Sequence, residues 1–269
     1  MTMLRTEAVA GQFYPAQADS LNAVLDTYFD PALPQGSALG LIVPHAGYVY
    51  SGHIAACAYA ATEIPAQVVL LGPNHRGVGA AAAVYPDGAW RTPLGQVPVA
   101  AALATHLIDH CTLLEADRLA HQYEHSLEVQ LPFLQHQRQD VQIVPISLGR
   151  GNLNDWLQLG RQLGLALQNW PGETLLIAST DMNHFKSAAQ TLRLDRLAID
   201  HLEALDPAGL YAVVHQQHIS MCGVIPAVVL LEATNILGAS SCRLLRYDHS
   251  GSVNGDSDSV VGYAALQVV

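Results

Sequence analysis

Short, uninterrupted apolar runs alternate along this chain with longer stretches whose apolar positions recur at helical spacing. ALGLIV (38–43), QVVLL (67–71), VQIVPISLG (141–149) and TLLIAST (174–180) are the apolar runs. Each is too short for an ordinary helix and predominantly apolar, ALGLIV throughout, as a strand covered on both faces is. The stretch AQADSLNAVLDTYFD predicts an amphipathic helix with Leu21, Val24, Leu25 and Tyr28 on one face, ended by Pro31 and LPQGS. SGHIAACAYAAT predicts a helix with Ser51 as its N-cap, and AALATHLIDH another. EHSLEVQLPFLQHQ has helical period, with Pro132 able to kink or restart it. NLNDWLQLGRQLGLALQNW predicts an amphipathic helix opened by an Asn cap, and SAAQTLRLDRLAIDHLEAL a long helix. DPAGLYAVVHQQH begins a helix capped by Asp206 with Pro207 at its first position, and GVIPAVVLLEATNILG is an apolar helix closed by Gly238. AAAVYPDGAWRTPLGQVPV, with turns at Pro86-Asp87-Gly88 and Leu94-Gly95, predicts a β-hairpin beside the main sheet. CRLLRYDHS and SVVGYAALQVV are terminal strands around the loop GSVNGDSDS.

Strands separated by helices indicate βαβ units. The expected fold is therefore α/β: a single three-layer domain over residues 1–269, with a mainly parallel central sheet flanked by helices. Length and composition agree, because 269 residues with 50% apolar and 13% charged side chains suffice for one large core. The formal net charge of −11, with 12 Lys and Arg and no run of them, argues against nucleic acid and against an anionic membrane surface. The four cysteines, Cys57, Cys111, Cys222 and Cys242, form no C-x-x-C pair and are expected to be buried reduced thiols. No secretory apolar region opens the chain, and no uninterrupted apolar stretch reaches the ~18 residues of a membrane span, so a cytoplasmic protein is expected. There is no G-x-S-x-G elbow, P-loop or strand-associated G-x-G-x-x-G, which leaves serine hydrolysis and nucleotide binding unsupported.

The 13 histidines outnumber the cationic side chains, and three of them follow apolar runs. His45 stands in Pro44-His45-Ala46-Gly47-Tyr48, His75 in Gly72-Pro73-Asn74-His75-Arg76-Gly77, and His184 in Ser179-Thr180-Asp181-Met182-Asn183-His184. Ligands of open α/β sheets bind outside the carboxyl ends of the strands. Three imidazoles delivered there can converge on a metal or do acid–base work. The bland alternative for each is a core histidine bonded to a backbone carbonyl. Tyr48 and Asn74 are candidate substrate-binding groups, and Asp181 can orient an imidazole N–H or cap a helix. HQYEHSLEVQ adds His121, Glu124, His125 and Glu128. On a helix, His125 and Glu128 share a face, while His121 and His125 have a spacing that can chelate.

The stretches GQFYPA, VPHAGYVYSG, LGPNHRG, EHSLEVQLPFL, VPISLG, STDMNHF, CGVIPAVVLL and GDSDSVVGYAA run in order from Gly11 to about Ala265. Together they resemble the Memo family, whose prokaryotic members are also called AmmeMemoRadiSam system protein B. That family is similar in fold to the class III (LigB-type) extradiol dioxygenases, which hold ferrous iron with two His and one carboxylate. The resemblance implies a metal on His45 and His75, with His184 a further candidate ligand, and Fe(II) or copper as cofactor. It implies catalytic roles for His125, Glu128, Asp181 and His184. Some Memo proteins add a third ligand from a Cys. Counting back from YAA puts that position at Val253, beside Asn254, Asp256 and Asp258 and downstream of His249, whereas Cys242 comes too early. On that count the third ligand is His184, a loop Asp, or none.

The expected function is a metal-dependent, dioxygenase-like oxidoreductase acting on a small molecule, with His184 or His125 moving protons. The alternatives are a binding module for a peptide or other ligand, and a component of a modification system with AMMECR1-like and radical SAM protein partners, as the resemblance implies.

Overall fold

The computed structural model describes residues 3–30 and 34–269; Pro31 and Leu33, expected to end the first helix, lie outside the described residues. In chain order the elements are β1 (Leu4–Arg5), α1 (Ala18–Tyr28), β2 (Gly40–Val43), α2 (Tyr48–Ala60), β3 (Gln67–Pro73), β4 (Ala82–Val84), β5 (Ala89–Thr92), β6 (Gly95–Pro98), α3 (Ala101–His110) and β7 (Glu115–Ala116). There follow α4 (Leu131–Gln137), β8 (Gln142–Leu148), α5 (Leu153–Gln168), β9 (Thr174–Ser179), β10 (His184–Lys186), α6 (Ala188–Glu203), α7 (Pro207–Gln216), α8 (Val224–Leu237), β11 (Cys242–His249), α9 (Gly251–Asn254) and β12 (Val260–Val268).

The four apolar runs are β2, β3, β8 and β9, and they lie side by side in the order β2-β9-β3-β8, all parallel. Their residues are buried at nearly every position. That is why they carry no apolar–polar alternation: helices cover both faces. Helix α8 packs on β9, β3 and β2 with α5 against it, and α2 packs on β2, β12 and β11. Antiparallel strands flank the parallel centre, with β12 beside β2 and β4 beside β8. β10 and β11 both pair with β12. Because β9 inserts between β2 and β3, the turns leaving all three strands open at one carboxyl edge. The architecture is the expected α/β domain with a helix-flanked sheet. No helix among the described residues is long and apolar enough to cross a membrane.

Several local expectations hold. Asn152 caps α5 through a reciprocal capping box with Asp155, Asp206 caps α7 ahead of Pro207, and Gly238 closes α8 in the left-handed region. Others are corrected. Ser51 does not cap α2; Gly47 does, and the Ser51 hydroxyl donates to the Ala46 carbonyl from inside the helix. The hairpin is β5–β6, paired with β1 in a separate three-stranded sheet, while β4 leaves it to extend the main sheet. The segment from His121 to Glu128 is not a continuous helix: a 3-10 turn ends at His121, another begins at Glu128, and α4 starts only at Leu131.

Glu128 explains part of that departure. Its carboxylate is fully buried and accepts from Arg5 Nη1 at 2.7 Å, the Ala8 and Val9 amides at 2.8 and 3.0 Å, and the Tyr14 hydroxyl at 2.7 Å. Arg5 also donates to the carbonyls of His121 and Glu124 and lies over the Trp90 ring. The N-terminal segment is thereby tied beneath residues 121–128. Removing one member of a buried, multiply bonded pair leaves the other uncompensated. Glu128→Gln is expected to cost about 3–5 kcal/mol of unfolding free energy in urea denaturation. Arg5→Met/Glu128→Gln should cost less than the sum of the two single substitutions.

Candidate metal centre

His45 is the residue after Pro44 at the end of β2, and it is buried. Its tautomer follows from its neighbours. The Gln130 amide donates to the Pro44 carbonyl and to Ser179 Oγ, both at 2.9 Å, while its oxygen accepts from Tyr59. The Ser179 hydroxyl gives its one proton to the Ser126 carbonyl at 2.7 Å. Its 2.9 Å contact with His45 Nδ1 therefore requires that Nδ1 carry the proton and donate. Nε2 is left with a free lone pair, facing Cys222 Sγ at 3.2 Å. Burial, reinforced by the neighbouring His75, pushes the His45 pKa down to about 3, so the ring is neutral at physiological pH.

His75 is fixed by Glu124. This carboxylate accepts from the His75 backbone amide at 2.8 Å, from His75 Nδ1 at 2.9 Å, and from the amides of His125 and Ser126 at 3.0 and 2.9 Å. Burial raises its pKa, but the bonds from His75 and from Ser126 outweigh that and hold the group at about 2. Glu124 is thus a charged acceptor, and it orients His75 as carboxylates orient metal-binding imidazoles. By capturing the His125 and Ser126 amides it also withdraws them from any helical ladder, which breaks the helix its sequence suggests.

The rings of His45, His75 and His125 gather with centroids 4.8–5.5 Å apart, His125 stacked on His75 and backed by Phe13. Burial and the adjacent His45 lower the His125 pKa to about 4. His45, His75 and Cys222 present ligand atoms within 4.8 Å of one another, as do Asp181, His184 and Cys222. Cys222 stands two residues before α8, at the edge where β9 ends. Burial, with Asp181 nearby, pushes its pKa well above that of a free thiol, so it holds its proton and donates it to His45 Nε2.

His184 gives its Nδ1 proton to the Ser220 carbonyl at 2.9 Å. Asp181 accepts from the His45 backbone amide at 2.8 Å, and burial raises its pKa. The structure thus brings His45, His75, His125, Asp181 and His184 to one edge. It does not bring Glu128, which is bound to the N-terminal segment, nor His121, which donates to the Ala83 carbonyl between Tyr85 and Trp90. Tyr48 is buried, with its hydroxyl given to the Val129 carbonyl. The Asn74 amide is engaged by Gly77 and Val78 of its own loop.

Counting along the chain for a further donor led away from Cys222. Val253 is exposed on α9, and none of His249, Asp256 and Asp258 joins a group able to hold a metal among the described residues. Cys222 instead presents its sulfur to His45 and His75. Its signal lay in CGVIPAVVLL, where a Cys-Gly pair opens an apolar helix; Gly223 packs its Cα against Ser179 and Thr180 with no room for a side chain.

Residues 5–267 match the Memo-like protein family. The chain belongs to that family. The MEMO1 family protein of Methanopyrus kandleri is 40% identical over 98% of each chain. That of Aquifex aeolicus is also 40% identical over 98% of each, and that of Methanosarcina mazei is 38% identical over 98% of this chain and 99% of its own. A crystal structure of an uncharacterized Escherichia coli K12 protein shares the fold, with a TM-score of 0.55 at 12% identity, covering 86% of this chain and 99% of that one.

In this Memo-like chain the loop carrying His184 rests on a buried acid. Asp195 Oδ1 accepts from the Asn183 amide and Oδ2 from the Tyr247 hydroxyl, both at 2.8 Å. Burial raises its pKa from 3.8 to about 7. Between those values the folded state holds a proton that the unfolded state has lost, so its contribution to stability falls as pH rises through that window. Compared with Asp195→Asn, the wild-type protein is expected to lose roughly 1 kcal/mol of unfolding free energy per pH unit between about pH 4 and 7, and nothing further above it. Urea denaturation of both proteins across that range measures the difference.

Proposed function

We propose that this protein is a metal-dependent oxidoreductase of dioxygenase-like kind, with one transition metal held by His45, His75 and Cys222. The observation that carries the reading is the Cys222 thiol proton placed against the free Nε2 of His45. A metal ion would replace that proton and convert the contact into two coordinate bonds. The donor set fits: two imidazoles and one sulfur suit iron, copper or zinc. It is softer than the two-His-one-carboxylate set implied by the resemblance, because Glu124 supports His75 instead of ligating. Iron(II) and copper are the metals proposed, and when bound they would supply one-electron and O₂ chemistry. His125 and His184 lie close enough to take or give a proton at a substrate, and Asp181 positions the His45 backbone.

Metal content should be measured on protein purified anaerobically without a His-tag, because copper outcompetes other divalent ions in vitro. About one equivalent of iron or copper is expected in the parent, with loss in His45→Ala/His75→Ala and strong depletion in Cys222→Ser. No metal in the parent and none taken up from added Fe(II) or Cu(I) would end this reading.

Ligation requires the thiol to lose its proton, while His45 is neutral above about pH 3 and contributes nothing to the pH dependence. Apparent metal affinity should therefore rise about tenfold per pH unit between pH 7.5 and 9, with release of about one proton per metal. In Cys222→Ser that slope should vanish. Competition titration against a chelator of known affinity reads both quantities.

A further inference from the structure

A cavity of about 330 Å³ opens beside the candidate metal centre, between the loop after β3 and the loop after β8. His75 and Cys222 form one part of its wall, Leu148 and Ile225 an apolar part, and Arg150 brings the one guanidinium lining it. The two loops are joined by backbone bonds: the Asn74 amide donates to the Leu148 carbonyl at 2.9 Å, and the Gly149 amide to the Ala81 carbonyl at 2.8 Å. Arg150 therefore projects from an anchored backbone.

Carboxylates outnumber cations in this chain, 23 to 12, and most cationic side chains are engaged. Arg5, Arg91, Arg118, Arg138, Arg161 and Arg196 form ion pairs, and Arg243 and Arg246 have hydrogen-bond partners. Among the described residues Arg76, Arg150, Lys186 and Arg193 have none. Of those four, Arg150 lines the cavity, while Arg76 follows His75 in the chain and Lys186 comes two residues after His184. The nearby carboxylates do not neutralise them. Glu124 is saturated by its four donors, and Asp117 is turned to the amides of Ala80 and Leu119. An acidic protein has here left cations unpaired beside an apolar wall and a candidate reaction centre.

We propose that this cavity takes a small organic anion, its carboxylate or phosphate paired with Arg150 and its apolar body against Leu148 and Ile225. The end opposite the charge then lies toward His75 and Cys222. Binding of the anion does not depend on the metal; only the assignment of that far end as the reacting one rests on the proposed metal centre.

Ligand-observed ¹⁹F NMR with 4-fluorobenzoate and 4-fluorophenyl phosphate tests this, with 4-fluorobenzyl alcohol as the neutral control. Wild type, Arg150→Gln and Arg193→Gln are compared, each with and without Co(II), whose uptake is measured in the same samples. One of the two anions should bind, and Arg150→Gln should weaken it about tenfold or more, as loss of a charge-assisted hydrogen bond does. Arg193→Gln removes the same charge elsewhere and should leave binding within about twofold. The alcohol should not distinguish the variants. Whichever anion binds more tightly assigns carboxylates or phosphate monoesters as the substrate class. Absence of binding by both anions, or equal binding by Arg150→Gln, overturns the proposal. Arg150-dependent binding without Co(II) uptake keeps it while removing the metal centre; Co(II) uptake with Arg150-independent binding does the reverse.

Discussion

Glu124 is a buried carboxylate that four donors hold ionised, and the geometry of the candidate centre hangs on it. An isolated charge in such a place would be prohibitively costly. The donors that make it tolerable are the backbone and ring of His75 and the amides of His125 and Ser126. Meeting the electrostatic demand of one carboxylate thus fixes the loop after β3, prevents residues 121–128 from completing a helix, and stacks His125 on His75. The position of each follows from the same requirement, that a buried acceptor find enough hydrogen.

The same logic recurs around it. Each of His45, His75 and His184 gives Nδ1–H to an acceptor that cannot turn away: a serine oxygen whose own proton is committed, a carboxylate, and a backbone carbonyl. Each ring thereby turns Nε2 away from that acceptor, and the Nε2 of His45 meets the Cys222 thiol. Cys222 faces that arrangement from the start of α8, as a thiol kept protonated by burial. Before a cation enters, a neutral His45, a protonated thiol and the ionised Glu124 behind His75 meet there. Of the unpaired cations, Arg150 lines the adjoining cavity and Arg76 follows His75 in the chain.

Much of this was legible along the chain. The buried parallel strands showed as runs without alternation, since a strand covered on both faces has no solvent side to mark. Asn152, Asp206 and Gly238 showed because caps and the left-handed region restrict residue type locally. His45, His75 and His184 showed because each follows such a strand, and a strand's carboxyl end is where open α/β sheets place ligands. The helical spacing of His125 and Glu128 misled, because spacing is a local property, whereas the partners that hold Glu128, Arg5 and Tyr14, lie at the far N-terminus.

The sequence by itself determined the periodicities, the caps and the histidines at strand ends, all of which rest on neighbours a few residues away. Only the tertiary structure brought Cys222, and not Val253, beside His45 and His75, and gave His75 the carboxylate of Glu124 rather than that of Glu128. It also decided that Arg150 lines the same cavity as His75. These pairings join residues tens to well over a hundred positions apart, and no spacing encodes them. They are set by which buried charges and donors the packed sheet forces to satisfy one another.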